Sequence, residues 1–180
     1  MPARKVSGRR YALAMLDIAR ADGDSDAWLE AAEVLDAMTA QSNHVQALQA
    51  DGMTDEDFQG IVRRVLPNVG VKQINLFRLL RRKKRLALGP SIASFFQELL
   101  DEERGIVRAT VSSAIELDEA RVSSIRARLA AQTGKTVELS TEVDAELVGG
   151  LVIRVGDQLL DGSTRGRLRA LRSHLERASL

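Results

Sequence analysis

The spacing of apolar residues changes at Gly105, and this change constrains the fold more than any other feature of the 180-residue chain. Before Gly105, apolar residues recur every three or four positions, which is the period of an amphipathic helix. After Gly105, apolar and polar residues alternate, as they do in half-buried strands. The sequence therefore predicts an α+β protein of two domains, with a helical domain at 1–105 and a small α/β domain at 106–180.

The helical domain is predicted to contain six segments. Ser7 is the expected N-cap of the first, which stops at Asp22-Gly23-Asp24, and Asp26 is the expected cap of the second. Trp28 is interpreted as a core anchor of the second segment. The predicted segments are about 7–21, 26–38, 45–50, 54–66, 71–85 and 89–104.

The first and fifth segments are apolar around more than one face, so a single packed face cannot cover them. Either they lie at the centre of the helical domain, or another chain covers their second face. The apolar residues are Tyr11, Ala12, Leu13, Met15, Leu16, Ile18 and Ala19 in the first segment, and Ile74, Leu76, Phe77, Leu79 and Leu80 in the fifth.

The second domain is predicted to begin with a strand from Val107 to Leu117. A helix capped by Asp118 and closed by Gly134 follows, and then a strand over 136–143. Further on, a strand at 151–155 leads through a two-residue turn at Gly156-Asp157 into another strand. Ser163 is expected to cap a last helix, and the residues of that helix predicted to be buried are Leu168, Leu171 and Leu175.

Composition excludes several kinds of chemistry. The chain has no cysteine, so disulfides, thiolate metal sites and cysteine nucleophiles are absent. The two histidines, His44 and His174, have no metal-ligand partner at a suitable spacing. No phosphate-binding loop is present, and the start of the chain does not read as a secretory signal. We therefore expect no catalytic residue, metal or cofactor. An enzyme using Asp157 and Asp161, or His174, is the hypothesis that the sequence favours least.

Charge is unevenly distributed although the net charge is only +1. Residues 17–57 hold eleven acids and one base, and residues 58–97 hold nine bases and no acid. Acidic and basic helices side by side would neutralise one another. The alternative is a basic face for an acidic partner. The run Arg81–Arg85 is interpreted as a solvated helix end, although a basic helical nucleic-acid-associated protein is an alternative function.

Three stretches resemble the delta subunit of bacterial F-type ATP synthases, whose mitochondrial relative is the oligomycin-sensitivity-conferring protein. The first is RRYALAML at 9–16. The second comprises NLFRLL at 75–80 and FQELLDEERG at 96–105. The third, GGLVIRVGD at 149–157 followed by DGS at 161–163 and RGRL at 165–168, is the most specific.

This resemblance implies a six-helix N-terminal bundle, a small α/β C-terminal domain and a stator role without catalysis. The bundle would bind the N-terminal helix of an alpha subunit through its first and fifth helices. The C-terminal domain would bind the b subunits of the peripheral stalk. The protein would lie at the cytoplasmic face of the cell membrane, associated with the membrane only through the complex, and would bind no nucleic acid.

The resemblance also assigns candidate binding residues. Those expected to face the alpha subunit are Tyr11, Ala14, Met15, Ile18, Asn75, Leu76 and Leu79. Those expected to face the stalk, chosen by exposure and charge, are Leu159, Leu168, Arg169 and Arg172. Three arginines, Arg165, Arg169 and Arg172, line one side of the last helix, either as a solvated face or as a docking strip for an acidic partner helix.

Overall fold

A computed structural model describes residues 2–156 and 158–169, with side chains described from Gly8 onward. The chain divides into two compact units, Met1–Asp101 and Glu102–Leu180. The division falls in the last turn of a helix, a few residues before the change of apolar period at Gly105. Helices form the first unit and a mixed sheet forms much of the second, so the protein has an α+β fold.

The described part of the first unit contains six α-helices. A 3-10 turn at Leu86–Leu88 separates the last two. The helices are α1 (Pro2–Asp22), α2 (Ser25–Thr39), α3 (Ser42–Leu48), α4 (Asp55–Val65), α5 (Val71–Arg82) and α6 (Gly89–Arg104).

Aromatic side chains from four different helices fill the core of this unit. Trp28, Phe58, Phe77 and Phe96 are all fully buried. A large ring buries about 150–250 Å², so each of these four side chains makes a large contribution to the packing energy of the helices. The prediction that Trp28 is a core anchor is confirmed.

The ends of the helices follow their capping signals in part. At Thr54, the hydroxyl accepts a hydrogen bond from the Asp57 amide at 3.1 Å and the Asp57 carboxylate accepts one in return, which is a capping box. Two predicted caps are wrong. α1 begins at Pro2 instead of after Ser7, because proline is tolerated in a first helical turn. α2 begins at Ser25, so Asp26 lies inside its first turn instead of capping it.

The end of α5 also differs from the prediction, which carried the helix to Arg85. α5 stops at Arg82, and Lys84 takes a left-handed conformation with φ of 52°. The Lys84 amide donates to the Arg81 carbonyl at 2.9 Å, and the Arg85 amide donates to the Leu80 carbonyl at 2.8 Å. These two bonds form a Schellman cap, in which glycine is the usual left-handed residue. Because lysine occupies that position here, the sequence did not mark the end of the helix.

Lys84→Gly is expected to stabilise the first unit by about 0.5–1 kcal/mol, because glycine adopts a positive φ without the steric cost that a Cβ brings. Lys83→Gly is the matched control, since Lys83 has φ of −85° and gains no such relief. The measurement is the free energy of unfolding in urea, followed by the fluorescence of the chain's single tryptophan. Equal effects of the two substitutions would contradict the prediction.

The second unit is built on a four-stranded sheet with strand order β2-β1-β3-β4. β1 pairs with β2 in parallel, and the β1–β3 and β3–β4 pairs are antiparallel. The parallel pair requires a crossover, which α7 provides. The elements are β1 (Ile106–Ser113), α7 (Glu119–Thr133), β2 (Thr136–Val143), β3 (Leu151–Val155) and β4 (Gln158–Asp161), and residues 164–169 are helical.

α7 packs against one face of the sheet and makes a small core there. Leu129 of α7 is buried against Ala109 of β1 and Val137 of β2. As predicted, Asp118 caps α7, with its carboxylate accepting from the Arg121 amide at 2.7 Å, and Gly134 closes the helix at φ of 68°.

β1 ends at Ser113, before the predicted end at Leu117. The reason is that its partner strand ends opposite, at Val143, so later residues have no ladder to join. The Ser113 hydroxyl then donates to the Ile115 carbonyl at 2.6 Å and turns the chain.

The hairpin between β3 and β4 has the predicted two-residue loop, because Val155 pairs directly with Gln158. Gly156, in that loop, has φ of 54°, which explains the glycine. After β4, the Ser163 hydroxyl accepts a hydrogen bond from the Gly166 amide at 2.9 Å. The prediction that Ser163 caps the last helix is therefore confirmed.

Candidate functional site

α1 and α5 lie side by side and are joined by two polar contacts. Lys72, at the start of α5, donates to the Asp22 carboxylate at the end of α1 at 2.5 Å. Arg85, just past the end of α5, donates to the Tyr11 hydroxyl at 2.9 Å. Since the start of one helix meets the end of the other, the two helices run antiparallel.

Between these contacts lies an open groove of about 490 Å³, which we call the α1/α5 groove. Its walls are mostly apolar and its rim carries polar and cationic side chains. The lining residues are Arg10, Tyr11, Ala14, Met15, Ile18, Trp28, Lys72, Asn75, Leu76, Leu79 and Arg85.

All seven residues that the family resemblance assigned to an alpha-subunit interface line this groove. They differ in accessibility. Met15 is buried, as is Trp28, so both belong to the floor. Ile18 on α1 is 37% exposed and Leu79 on α5 is 44% exposed, so they present apolar surface to anything that enters. Tyr11 and Leu76 are half-buried between floor and rim.

The structure also answers which faces of the two helices point inward. On α5, Ile74, Phe77 and Leu80 are buried, whereas Leu79 is open to the groove. On α1, Met15 is buried by other parts of this chain, whereas Ile18 is exposed. This polypeptide therefore covers only part of the apolar circumference of α1 and α5, and an open furrow is left between them.

Four residues that line the groove were not predicted from the sequence to belong to a site: Arg10, Trp28, Lys72 and Arg85. Lys72 lies one helical turn before Asn75 and Leu76, and that spacing could have placed it on the same face. Arg85 gave no such signal, because it reaches Tyr11 only after the left-handed turn at Lys84.

In the second unit, the structure describes three stalk candidates, Leu159, Leu168 and Arg169. All three are exposed, but only two of them lie on the same surface. Leu168 is 61% exposed, so the prediction that it belongs to a buried stripe is wrong. Leu168 and Arg169 line a shallow hollow of about 300 Å³ with Val148, Thr164 and Arg165. Leu159, 57% exposed on β4, is not part of this hollow. Arg172, Leu171 and Leu175 lie outside the described residues.

Asp161, which was considered as a catalytic residue, has a structural role. The Asp161 carboxylate accepts a hydrogen bond from the Ser163 amide at 2.9 Å. Hydrogen bonds from the side chain and backbone of Ser163 lower the pKa of Asp161, which favours its ionised form just before the last helix. Asp157 and His174 lie outside the described residues. His44 lies within α3.

Neither a metal centre nor a membrane span is found in the described ranges. Within 2–156 and 158–169, no three side chains of the metal-binding types are grouped closely enough to hold an ion. No helix in the same ranges combines the length and apolar character needed to cross a bilayer.

The basic run Arg81–Arg85 is not one solvated helix end. Arg81 points into the unit, where its side chain is 13% exposed and pairs with Asp55. Its Nε donates to the Leu48 carbonyl at 3.0 Å, and its Nη2 donates to the Met53 carbonyl. The expectation of a solvated run is therefore wrong for Arg81, whose charge is used to join α5 to the start of α4.

The family model for the ATP synthase delta (OSCP) subunit matches residues 8–175. The chain is 32% identical over 172 residues to ATP synthase subunit delta of Chlorobium phaeobacteroides, covering 94% of this chain and 95% of that protein. It is 34% identical over 173 residues to the subunit of the same name from Desulfatibacillum aliphaticivorans, covering 94% of each.

A solved structure shares the fold. A chain of the Toxoplasma gondii mitochondrial ATP synthase hexamer, determined by cryo-electron microscopy, matches with a TM-score of 0.68 at 18% identity. The match covers 93% of this chain and 96% of that chain. Together with the family match and the bacterial relatives, this shows that the chain belongs to the ATP synthase delta (OSCP) subunit family, whose members serve as stator subunits of the ATP synthase.

Proposed function

We propose that the α1/α5 groove binds the N-terminal helix of the alpha subunit and that the second unit binds the b subunits of the peripheral stalk. In this arrangement the first unit, acting as a six-helix bundle, holds the catalytic head, and the second holds the stalk. The protein supplies no catalytic residue of its own. It transmits the force that keeps the head from turning with the rotor, so that rotation is coupled to ATP synthesis or hydrolysis.

The observation that carries the first half is the open apolar furrow between α1 and α5. An amphipathic helix commonly binds by laying its apolar face into such a groove. Ile18 and Leu79 stand on opposite walls and are both still partly exposed, so an occupant helix would cover both at once. Covering a large apolar side chain fully contributes about 1.5–3 kcal/mol, and these half-covered ones would contribute part of that each.

The floor of the groove supports the same proposal. Trp28 and Met15 are buried beneath it and packed into the core of the helical unit. A groove whose floor is the core itself changes little on binding, so the occupant would meet a surface already formed. Binding to a pre-formed surface costs less free energy than binding to a flexible one, because fewer side chains have to be ordered.

The second half rests on the hollow around Leu168. Val148 and Leu168 are large apolar side chains left open, and Arg165 and Arg169 flank them. This combination suits an amphipathic helix with acidic side chains beside its apolar stripe, which is the chemistry we assign to the stalk partner. Leu159 and Arg172 stay candidate stalk-binding residues from the resemblance alone, since Leu159 does not line the hollow and Arg172 lies outside the described residues.

Location follows from these partners. The chain would lie at the cytoplasmic face of the cell membrane as a peripheral component, held there by the alpha and b subunits and not by lipid.

The test is a titration of the full chain with a synthetic peptide that copies the N-terminal helix of the alpha subunit from the same organism. The single tryptophan, Trp28, lies in the floor of the groove and reports occupancy through its fluorescence. We expect saturable one-to-one binding. A scrambled peptide of the same composition is the control. Absence of binding, or equal binding of the scrambled peptide, would reject the proposal for the groove.

A further inference from the structure

We propose that the α1/α5 groove favours one direction of its occupant helix, with an acidic stretch of that helix over Arg10 and Arg85. This inference rests on the proposed binding of the alpha-subunit helix and adds the chemistry and the direction of the bound segment. It is carried by the unequal distribution of uncompensated charge along the rim.

The rim is cationic. Three of the lining residues, Arg10, Lys72 and Arg85, carry a positive charge. No aspartate or glutamate is among the described residues that line the groove. A groove with a rim of one sign of charge attracts a partner of the opposite sign, because the field of the rim raises the local concentration of that partner.

The three cations are not equivalent. Lys72 is neutralised by Asp22, whose carboxylate lies 2.5 Å from the Lys72 Nζ atom. Arg85 donates to the Tyr11 hydroxyl, which is a neutral acceptor and leaves the charge of the guanidinium uncompensated. Arg10 is exposed, and the described part of the chain offers it no carboxylate partner.

The two uncompensated cations lie at the same end of the groove. Because α1 and α5 are antiparallel, the Lys72–Asp22 pair marks one end and the Arg85–Tyr11 contact marks the other. Arg10 precedes Tyr11 in α1 and so lies at the Arg85 end. The electrostatic potential of the groove is therefore asymmetric along its length.

An asymmetric rim discriminates between the two directions of a bound helix. An occupant whose carboxylates lie over Arg10 and Arg85 gains attraction that the reversed occupant lacks, and reversal would bring those carboxylates toward Asp22. Exposed pairs of this kind are individually weak and are screened over about 8–10 Å at ordinary salt. Their main effects are on direction, on the association rate and on the salt dependence of binding.

The experiment uses charge reversal in the full chain, titrated with the alpha-subunit peptide at low and at physiological salt. Arg10→Glu and Arg85→Glu are each expected to weaken binding about fivefold at low salt, with the difference shrinking as salt is raised. Lys83→Glu makes the same charge change outside the groove and should bind within about twofold of the unchanged protein. Tyr11→Phe removes the hydrogen bond to Arg85 without changing charge, so any loss of affinity that it causes should be the same at low and at physiological salt.

The direction is tested by a double-mutant cycle. Each carboxylate of the peptide is replaced by its amide, and the loss is compared with and without Arg10→Glu. We expect coupling to be confined to carboxylates at one end of the peptide. Coupling spread evenly along the peptide, or its absence, would overturn the proposed direction. If Arg10→Glu and Arg85→Glu bind normally while substitution of the apolar wall at Leu79 abolishes binding, this inference fails and the groove remains the site. If neither the charges nor the wall matters, both proposals fail.

Discussion

Leu79→Asp is expected to lower the affinity of the groove for the alpha-subunit peptide about 100-fold. Leu79 stands on the α5 wall with 44% of its surface exposed. In the bound state an aspartate there would lose its hydration against an apolar stripe, without an assured cationic partner. A penalty of about 2.7 kcal/mol corresponds to that loss of affinity, and it lies within the usual cost of burying an unpaired polar group.

The free protein should tolerate the same substitution, because a side chain already open to solvent contributes little to the core. Leu13→Asp is the matched control. Leu13 is on α1 with a similar exposure of 41%, but it does not line the groove. We expect Leu13→Asp to bind the peptide within about twofold of the unchanged protein, since surface substitutions away from a site have small effects.

Fluorescence titration of Trp28 measures both affinities, and helical circular dichroism verifies that each variant is folded. Equal losses for the two variants would indicate that negative charge on the helical unit weakens binding in general. Normal binding by Leu79→Asp would show that the peptide occupies another surface.

The existence of this groove could be foreseen in part from the sequence. The breadth of the apolar surface on the first and fifth helices predicted that one packed face would not cover them. The period alone does not say which of two apolar faces packs inward, because both satisfy the same spacing. That choice depends on the other helices: Phe77 and Leu80 meet the core, and Leu79, one residue before Leu80, is left outside.

The uneven distribution of charge along the sequence also predicted contacts within the fold. The acidic stretch at 17–57 and the basic stretch at 58–97 are joined by ion pairs, Lys72 with Asp22 and Arg78 and Arg81 with Asp55. These contacts agree with the interpretation that the two stretches neutralise one another. The alternative of a nucleic-acid-associated protein finds no support in the family to which the chain belongs.

The sequence did not reveal that the residues of the basic run Arg81–Arg85 lie in different surroundings. A sequence of five bases gives no indication that its first member turns inward and its last reaches across to α1. Both outcomes depend on long-range contacts, Arg81 with Asp55 and Arg85 with Tyr11, and on a left-handed lysine between them. Local propensity disfavours that conformation for lysine, so it is held by the surrounding structure.

Arg81→Ala is expected to lower the free energy of unfolding of the helical unit by about 2–3 kcal/mol. The substitution leaves Asp55 with Arg78 alone, at 3.5 Å, and removes the donors that serve the carbonyls of Leu48 and Met53. It also removes the guanidinium that lies 5.4 Å from the centre of the Phe58 ring. Breaking a well-buried ion pair costs more, and the exposure of about a third at Asp55 reduces the effect here.

Arg82→Ala is the control, because Arg82 is the next residue in the same run but is exposed. Its effect should be below about 0.5 kcal/mol. Urea denaturation followed through Trp28 reports on the helical unit itself, which matters because a chain of two compact units need not unfold in one step. Equal destabilisation by the two alanine substitutions would contradict the inward role of Arg81.

Arg81→Lys separates charge from geometry at the same position. Lysine keeps the attraction to Asp55, but it has no planar fork with which to reach a carboxylate and two carbonyls from different directions. We therefore expect a loss of stability between those of Arg82→Ala and Arg81→Ala. Because Arg81 holds the end of α5 against the segment between α3 and α4, and α5 is one wall of the groove, the lysine variant should also bind the peptide more weakly while still folded. A lysine variant as stable and as tightly bound as the unchanged protein would mean that charge alone fixes the position of α5.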